Sequence, residues 1–114
     1  MSTVKFNTWQ NTDGTENYKC RAWVNFDGTT NTGGNCDIRG SGNVSSVTDN
    51  NTGSYTVNFS TAFTDANYAV ASTTGEGGAN RIATARTYTT SSVDIRVYTT
   101  AFVDNEIVCV AVFR

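Results

Sequence analysis

The carboxylates at Asp37, Asp49, Asp65, Glu76, Asp94 and Asp104 are the residues with most obvious chemical potential, since two facing carboxyl groups are the working parts of a glycoside hydrolase. Each of them sits at a turn or alternates outward along a strand pattern, where solvation accounts for it. The chain has 0 histidines, which removes the commonest general base together with any Ser-His or Cys-His pair. Lys5 and Lys19 have no serine motif beside them. Three cysteines cannot all pair within one chain. Cys20 and Cys109 lie inside β patterns and read as small buried thiols, whereas Cys36, closing a Gly/Asn-rich stretch, reads as exposed. A metal site would want Cys or His pairs at short spacing. No catalytic residue, metal or cofactor is expected.

What remains is recognition. Sugars offer apolar C–H faces and many hydroxyls, and β folds bind them with an aromatic face flanked by Asn, Asp and Arg. Trp23, Asn80, Arg81, Arg86, Tyr88, Arg96 and Tyr98 are the candidate ligand-binding residues, with Asp94 among them. An inter-subunit face would use the same side chains. Asp49-Asn50-Asn51-Thr52-Gly53 lacks the sixth-position Gly and closing Glu of a calcium loop and reads as hairpin chemistry. The glycine-rich stretches Gly28–Asn35 and Thr73–Asn80 lack the Lys-Ser/Thr ending of a phosphate loop. They read instead as recognition loops or solvated spacers.

The elements that must carry these residues are strands. Tyr55, Val57 and Phe59 alternate, as do Ala22, Val24 and Phe26, and Val93, Ile95 and Val97; period two with β-branched and aromatic residues marks strands with one buried face. Trp23 falls on the opposite face from Val24. Ile107–Phe113 is nearly continuously apolar and predicts a strand covered on both faces. Thr61-Ala62-Phe63-Thr64-Asp65 is echoed by Thr100-Ala101-Phe102-Val103-Asp104, which predicts two equivalent corners, each Phe plugging one end of the core. About eight strands and no helix give an all-β class: an antiparallel β-sandwich, jelly-roll-like. Residues 1–19 form an N-terminal arm or short hairpin ahead of a domain spanning 20–114. In the arm, Val4, Phe6 and Trp9 would contact a partner or another copy.

Composition bounds the rest. At 114 residues the chain is one domain. Thr, Asn, Ser and Gly outweigh the 38% of hydrophobic residues, so the core is modest and would gain from assembly. A net charge of −2 with scattered Lys and Arg argues against a nucleic-acid surface. No run is long enough for a membrane span, and no signal h-region follows Met1.

The ordered string Tyr18–Gly28 (Y-K-C-R-A-W-V-N-F-D-G), Ser41–Phe59 and Asp65–Val70 (D-A-N-Y-A-V) resembles a module of bacteriophage tail-fibre proteins, most closely those of marine and cyanobacterial phages. The resemblance runs from about Trp9 to Val70. It implies a virion structural protein made in the host cytoplasm, assembled as a homotrimer and contacting other virion proteins. Its task would be non-enzymatic adhesion to a host-surface glycan. An alternative is a capsid decoration or tail/neck accessory protein attached through its N-terminal arm. A free lectin is a third reading.

Overall fold

A computed structural model of the chain describes residues 3, 5, 7, 8, 10–14, 19–75 and 81–114. The arm residues Val4, Phe6 and Trp9, and the candidate ligand residue Asn80, lie outside the described residues. Among the described residues eight strands form: β1 (Cys20–Thr32), β2 (Asn35–Gly42), β3 (Val44–Asn51), β4 (Ser54–Phe59), β5 (Ala69–Thr74), β6 (Ile82–Arg86), β7 (Ser92–Tyr98) and β8 (Val108–Phe113). All pairings among these eight strands are antiparallel, in the order β5-β8-β1-β2-β3-β4-β7-β6.

The alternation read from the sequence is the alternation observed. Ala22, Val24, Phe26, Val47, Tyr55, Val57, Val93, Ile95, Val97, Val108, Val110 and Val112 all point into one core and are nearly inaccessible to solvent. The walls of that core belong to a single sheet that curls until its two edges almost meet, in the manner of a barrel. Across the seam, Ser72 of β5 donates its hydroxyl to the Ala83 carbonyl of β6 at 3.0 Å, and Thr74 donates to the Arg81 carbonyl at 3.2 Å. Two side-chain hydroxyls therefore stand in for part of a backbone ladder and blunt the edges. Register shifts in the β1–β2, β1–β8 and β3–β4 ladders bend the sheet as closure requires.

Cys20 of β1 pairs with Phe113 of β8, which defines a proximal end. The distal end carries the β1–β2, β3–β4, β5–β6 and β7–β8 connections. Gly28–Asn35, expected as a loop, is mostly strand. β1 runs on to Thr32, and Gly33 and Gly34, with φ of +64° and +91°, turn the chain back into β2. Two successive positive φ values suit the right-handed twist of a hairpin, and glycine reaches them without steric cost. Since β8 accompanies β1 only as far as Phe26, the last turns of this hairpin extend beyond the barrel wall.

Three other expectations are corrected. β8 lies between β5 and β1, yet its outer face is not buried as its inner face is: Cys109 and Ala111 there are half-buried and Phe113 is 42% exposed. Cys36 is buried and Cys20 exposed, the reverse of the sequence reading, while Cys109 is intermediate. A bulge between Cys20 and Ala22 throws the first thiol outward, and the extended hairpin carries Cys36 under cover. The two echoed corners also differ. At the proximal end Phe63 stacks on Phe59 at 4.8 Å and meets Tyr68 edge-on at 5.0 Å, plugging the core as expected. At the distal end Phe102 is 52% exposed. There Val103, which replaces the Thr64 of the first corner, takes the inward contact and turns Phe102 out.

Candidate functional site

A polar knot fixes the distal end. Tyr55, fully buried, places its hydroxyl 2.9 Å from the Gly28 carbonyl and 2.8 Å from Asp104 Oδ1. The same carboxylate oxygen accepts the Gly53 N–H at 2.8 Å. Gly28 makes room for this: a Cβ there would lie 2.5 Å from the Tyr55 hydroxyl. Asn105, also fully buried, accepts from Arg81 Nη1 at 2.6 Å and donates to the Ile107 carbonyl at 2.6 Å and the Gly75 carbonyl at 3.2 Å. Its own carbonyl accepts the Gly28 N–H at 2.9 Å. Buried polar groups satisfied in this way hold one arrangement of the connections. Burial, and then the hydrogen bond to Asp104, push the Tyr55 hydroxyl pKa far above its ordinary value. Burial, reinforced by Asp49, Asp104, Asp27 and Asp37, pushes the Cys36 thiol up to about 12.

Immediately after β7 the chain reverses. The Tyr98–Phe102 bridge and the Thr99 N–H to Ala101 carbonyl bond at 3.0 Å fold residues 99–102 back alongside the end of β7, with the Phe102 side chain on the same outer side as that of Tyr98. Phe102 thereby comes to rest against Arg96, whose guanidinium carbon is 5.6 Å from the ring centroid, a cation–π distance. Tyr98 meets the same ring edge-on at 6.3 Å. Asn50 and Asn51 from the end of β3, Thr52 from the turn after it and Ser54 from β4 complete an open groove of about 520 Å³. Beside it a relay crosses three strands: Asn50 Nδ2 donates to Thr56 Oγ1, and Thr56 Oγ1 to Asp94 Oδ1, each at 2.8 Å.

The sequence-predicted ligand residues divide. Arg86, Arg96 and Tyr98 share the outer face of β6 and β7, with Arg86 opposite Asp94 in the ladder. Arg81 is engaged in the Asn105 knot. Tyr88 lies toward the proximal end, its ring 5.2 Å from that of Tyr68. Trp23 stands on the outer face of β1, four strands away from β7 in the sheet order, 47% exposed. Its indole lies on Gly40 and Gly42 of β2. Trp23, Ala71, Cys109 and Ala111 line an apolar depression there.

Asn50, Asn51, Thr52, Ser54 and Phe102 belong to the groove and were not among the sequence candidates. The substitution of Val for Thr at the second echoed corner was the available signal for Phe102. A second depression, at the proximal end, is lined by Arg21, Asn43, Thr61, Phe63, Thr64 and Arg114. Arg114 is held there by Asp65 through bonds of 3.0 and 2.6 Å. Among the described residues no group of three Cys, Asp or Glu side chains is placed to hold a metal ion, and no helix is long and apolar enough to cross a membrane.

Comparison with protein-family models, with curated proteins and with solved structures returns no match to this chain.

Proposed function

We propose that the chain is a non-enzymatic adhesion module of a phage virion, presenting its distal end to a glycan on the host surface. One observation carries this reading. The distal end combines an exposed aromatic ring, a guanidinium, amides and hydroxyls in one groove, turned away from the end where Cys20 and Phe113 pair. Sugars are held by that combination, the ring covering C–H faces and the polar groups meeting hydroxyls. The resemblance of Ser41–Phe59 and its neighbours to tail-fibre modules supplies the virion context. Assembly as a homotrimer accords with the apolar outer strip of Trp23, Ala111 and Phe113 on β1 and β8, which would bury surface that one chain leaves open.

Immunogold labelling of virions with antibody against this chain tests the proposal. Gold at distal fibre ends is the expected result. Gold over the capsid or neck would overturn the receptor role and favour a decoration or accessory protein. Virions without gold would favour a free lectin.

A further inference from the structure

Arg96 distinguishes this groove from a site for neutral sugars. Among the described residues it forms no ion pair, and its Nε is buried without a hydrogen-bond partner. Its guanidinium lies over the face of Phe102. Every other residue lining the groove is neutral. The nearest carboxylate on the same strand face, Asp94, accepts from Thr56 and stands opposite Arg86. On this outer face Arg86 and Arg96 outnumber Asp94, although the chain as a whole carries −2. A half-buried guanidinium without a counter-charge is costly unless something supplies one. Arginine's planar fork matches an oxyanion with two parallel hydrogen bonds.

We infer that the groove formed by Arg96, Phe102, Asn50, Asn51, Thr52 and Ser54 takes a sugar bearing an oxyanion, either a carboxylate or a sulfate. This rests on the adhesion reading and assigns its ligand class. The oxyanion sits on the Arg96 fork and the sugar ring against Phe102. Asn50 and Asn51 at the end of β3 and Thr52 after it meet its hydroxyls. Because the net charge of the protein repels polyanions at long range, any preference for an acidic polymer must come from this local site.

Two matched polymer pairs test the assignment by calorimetry or biolayer interferometry. Polygalacturonate is set against its carboxyl-reduced form, and dextran sulfate against dextran. The protein should bind at least one acidic member about tenfold or more tightly than its neutral counterpart, and the pair that responds identifies the oxyanion. Arg96→Gln should abolish that preference, and Arg96→Lys should restore only part of it. Raising the salt concentration should weaken the acidic member selectively. In an NMR titration with galacturonate or galactose 6-sulfate, the Asn50 and Asn51 side-chain amides should shift in wild type and stay still in Arg96→Gln. Equal binding within both pairs, or an acidic preference that survives Arg96→Gln, would overturn the assignment while leaving adhesion standing. Binding to none of the four polymers by a protein with an unchanged thermal transition would count against both.

Discussion

Removing one oxygen atom tests the account of the distal end. In Tyr55→Phe the ring, fully buried and 5.2 Å edge-on from Phe26, keeps its packing, so the change isolates the hydroxyl. That hydroxyl carries one hydrogen and faces two acceptors, the Gly28 carbonyl at 2.9 Å and Asp104 Oδ1 at 2.8 Å. Only one is served at a time. Its loss deletes one intramolecular hydrogen bond, a net contribution of about 1 kcal/mol. It also leaves an acceptor underserved in a closed site, which adds about 1–2 kcal/mol. Asp104 retains the Gly53 N–H at 2.8 Å, and that keeps the total from rising further. The expected destabilisation is about 2–3 kcal/mol, against a whole-domain stability of about 5–15 kcal/mol. Urea unfolding monitored by circular dichroism should show a lower midpoint with an unchanged m-value, since the same surface is exposed on unfolding. The double variant with Asp104→Ala should lose less than the sum of the single losses, because both remove the Tyr55–Asp104 bond. A Tyr55→Phe effect below about 0.5 kcal/mol, within the range of ordinary surface changes, would refute the claim that this hydroxyl pins the distal connections.

Other consequences follow from neighbouring geometry. Gly28→Ala and Gly42→Ala both bring a methyl to about the same distance from a neighbour, yet should differ severalfold. At Gly28 the methyl meets Tyr55 and, at 2.7 Å, the Asn105 carbonyl, neither of which can retreat, at a cost of about 3 kcal/mol. At Gly42 it meets the Trp23 indole at 2.5 Å, which can swing into solvent. The loss there should be about 1 kcal/mol with a red-shifted tryptophan emission; equal losses by urea unfolding would contradict this. Thiol labelling at pH 8 should modify Cys20 rapidly and Cys36 only on unfolding, since Cys36 is 5% exposed and its pKa lies near 12. Labelling both at one rate in the folded protein would contradict the burial. Hydrogen bonds from Arg114 first, then the Asn67 N–H, hold the Asp65 carboxyl down to about 2 from 3.8. A depressed folded-state pKa means the contribution is present above 3.8 and is lost as pH falls toward 2. The stability gap between wild type and Asp65→Asn should therefore close over that window, and a constant gap from pH 5 to pH 2 would exclude the pairing.

Much of this barrel was legible because its code is local. Inward alternation along β1, β4 and β7 follows from side chains standing on opposite faces of a strand, and it does not depend on which strands meet. Sheet closure was not legible. Whether eight strands make two sheets or one depends on whether the edges β5 and β6 approach each other, and Ser72 and Thr74 look like any other polar strand residues until Ala83 and Arg81 are opposite them. The cysteines fail for a related reason. Exposure at Cys20 is set by a bulge, and burial at Cys36 by a hairpin that keeps its strands beyond the point where glycines suggest a loop.

The candidate site shows the same division between local and long-range information. Arg96 and Tyr98 were recognisable as outward because they alternate with Val93, Ile95 and Val97, whereas Arg86 joins that face only through the β6–β7 register. The ring that completes the groove was misplaced, since the echo of Phe63 in Phe102 is real as sequence and false as geometry. Thr64 is content in solvent, so Phe63 turns inward against Phe59 and Tyr68. Val103 is not, and once it packs on the core the preceding residue must point out. One methyl-for-hydroxyl exchange thus converts a core plug into the aromatic wall beside Arg96. It does so at the end of the barrel where Asp104 and Asn105, the next two residues, bind Gly53 of the β3–β4 turn and Gly75 and Arg81 on either side of the β5–β6 connection. A groove whose wall and anchor come from four consecutive residues is positioned by the fold itself, and the rigidity that Tyr55 and Asn105 give the core is also what keeps Phe102 and Arg96 in register with the β3–β4 turn.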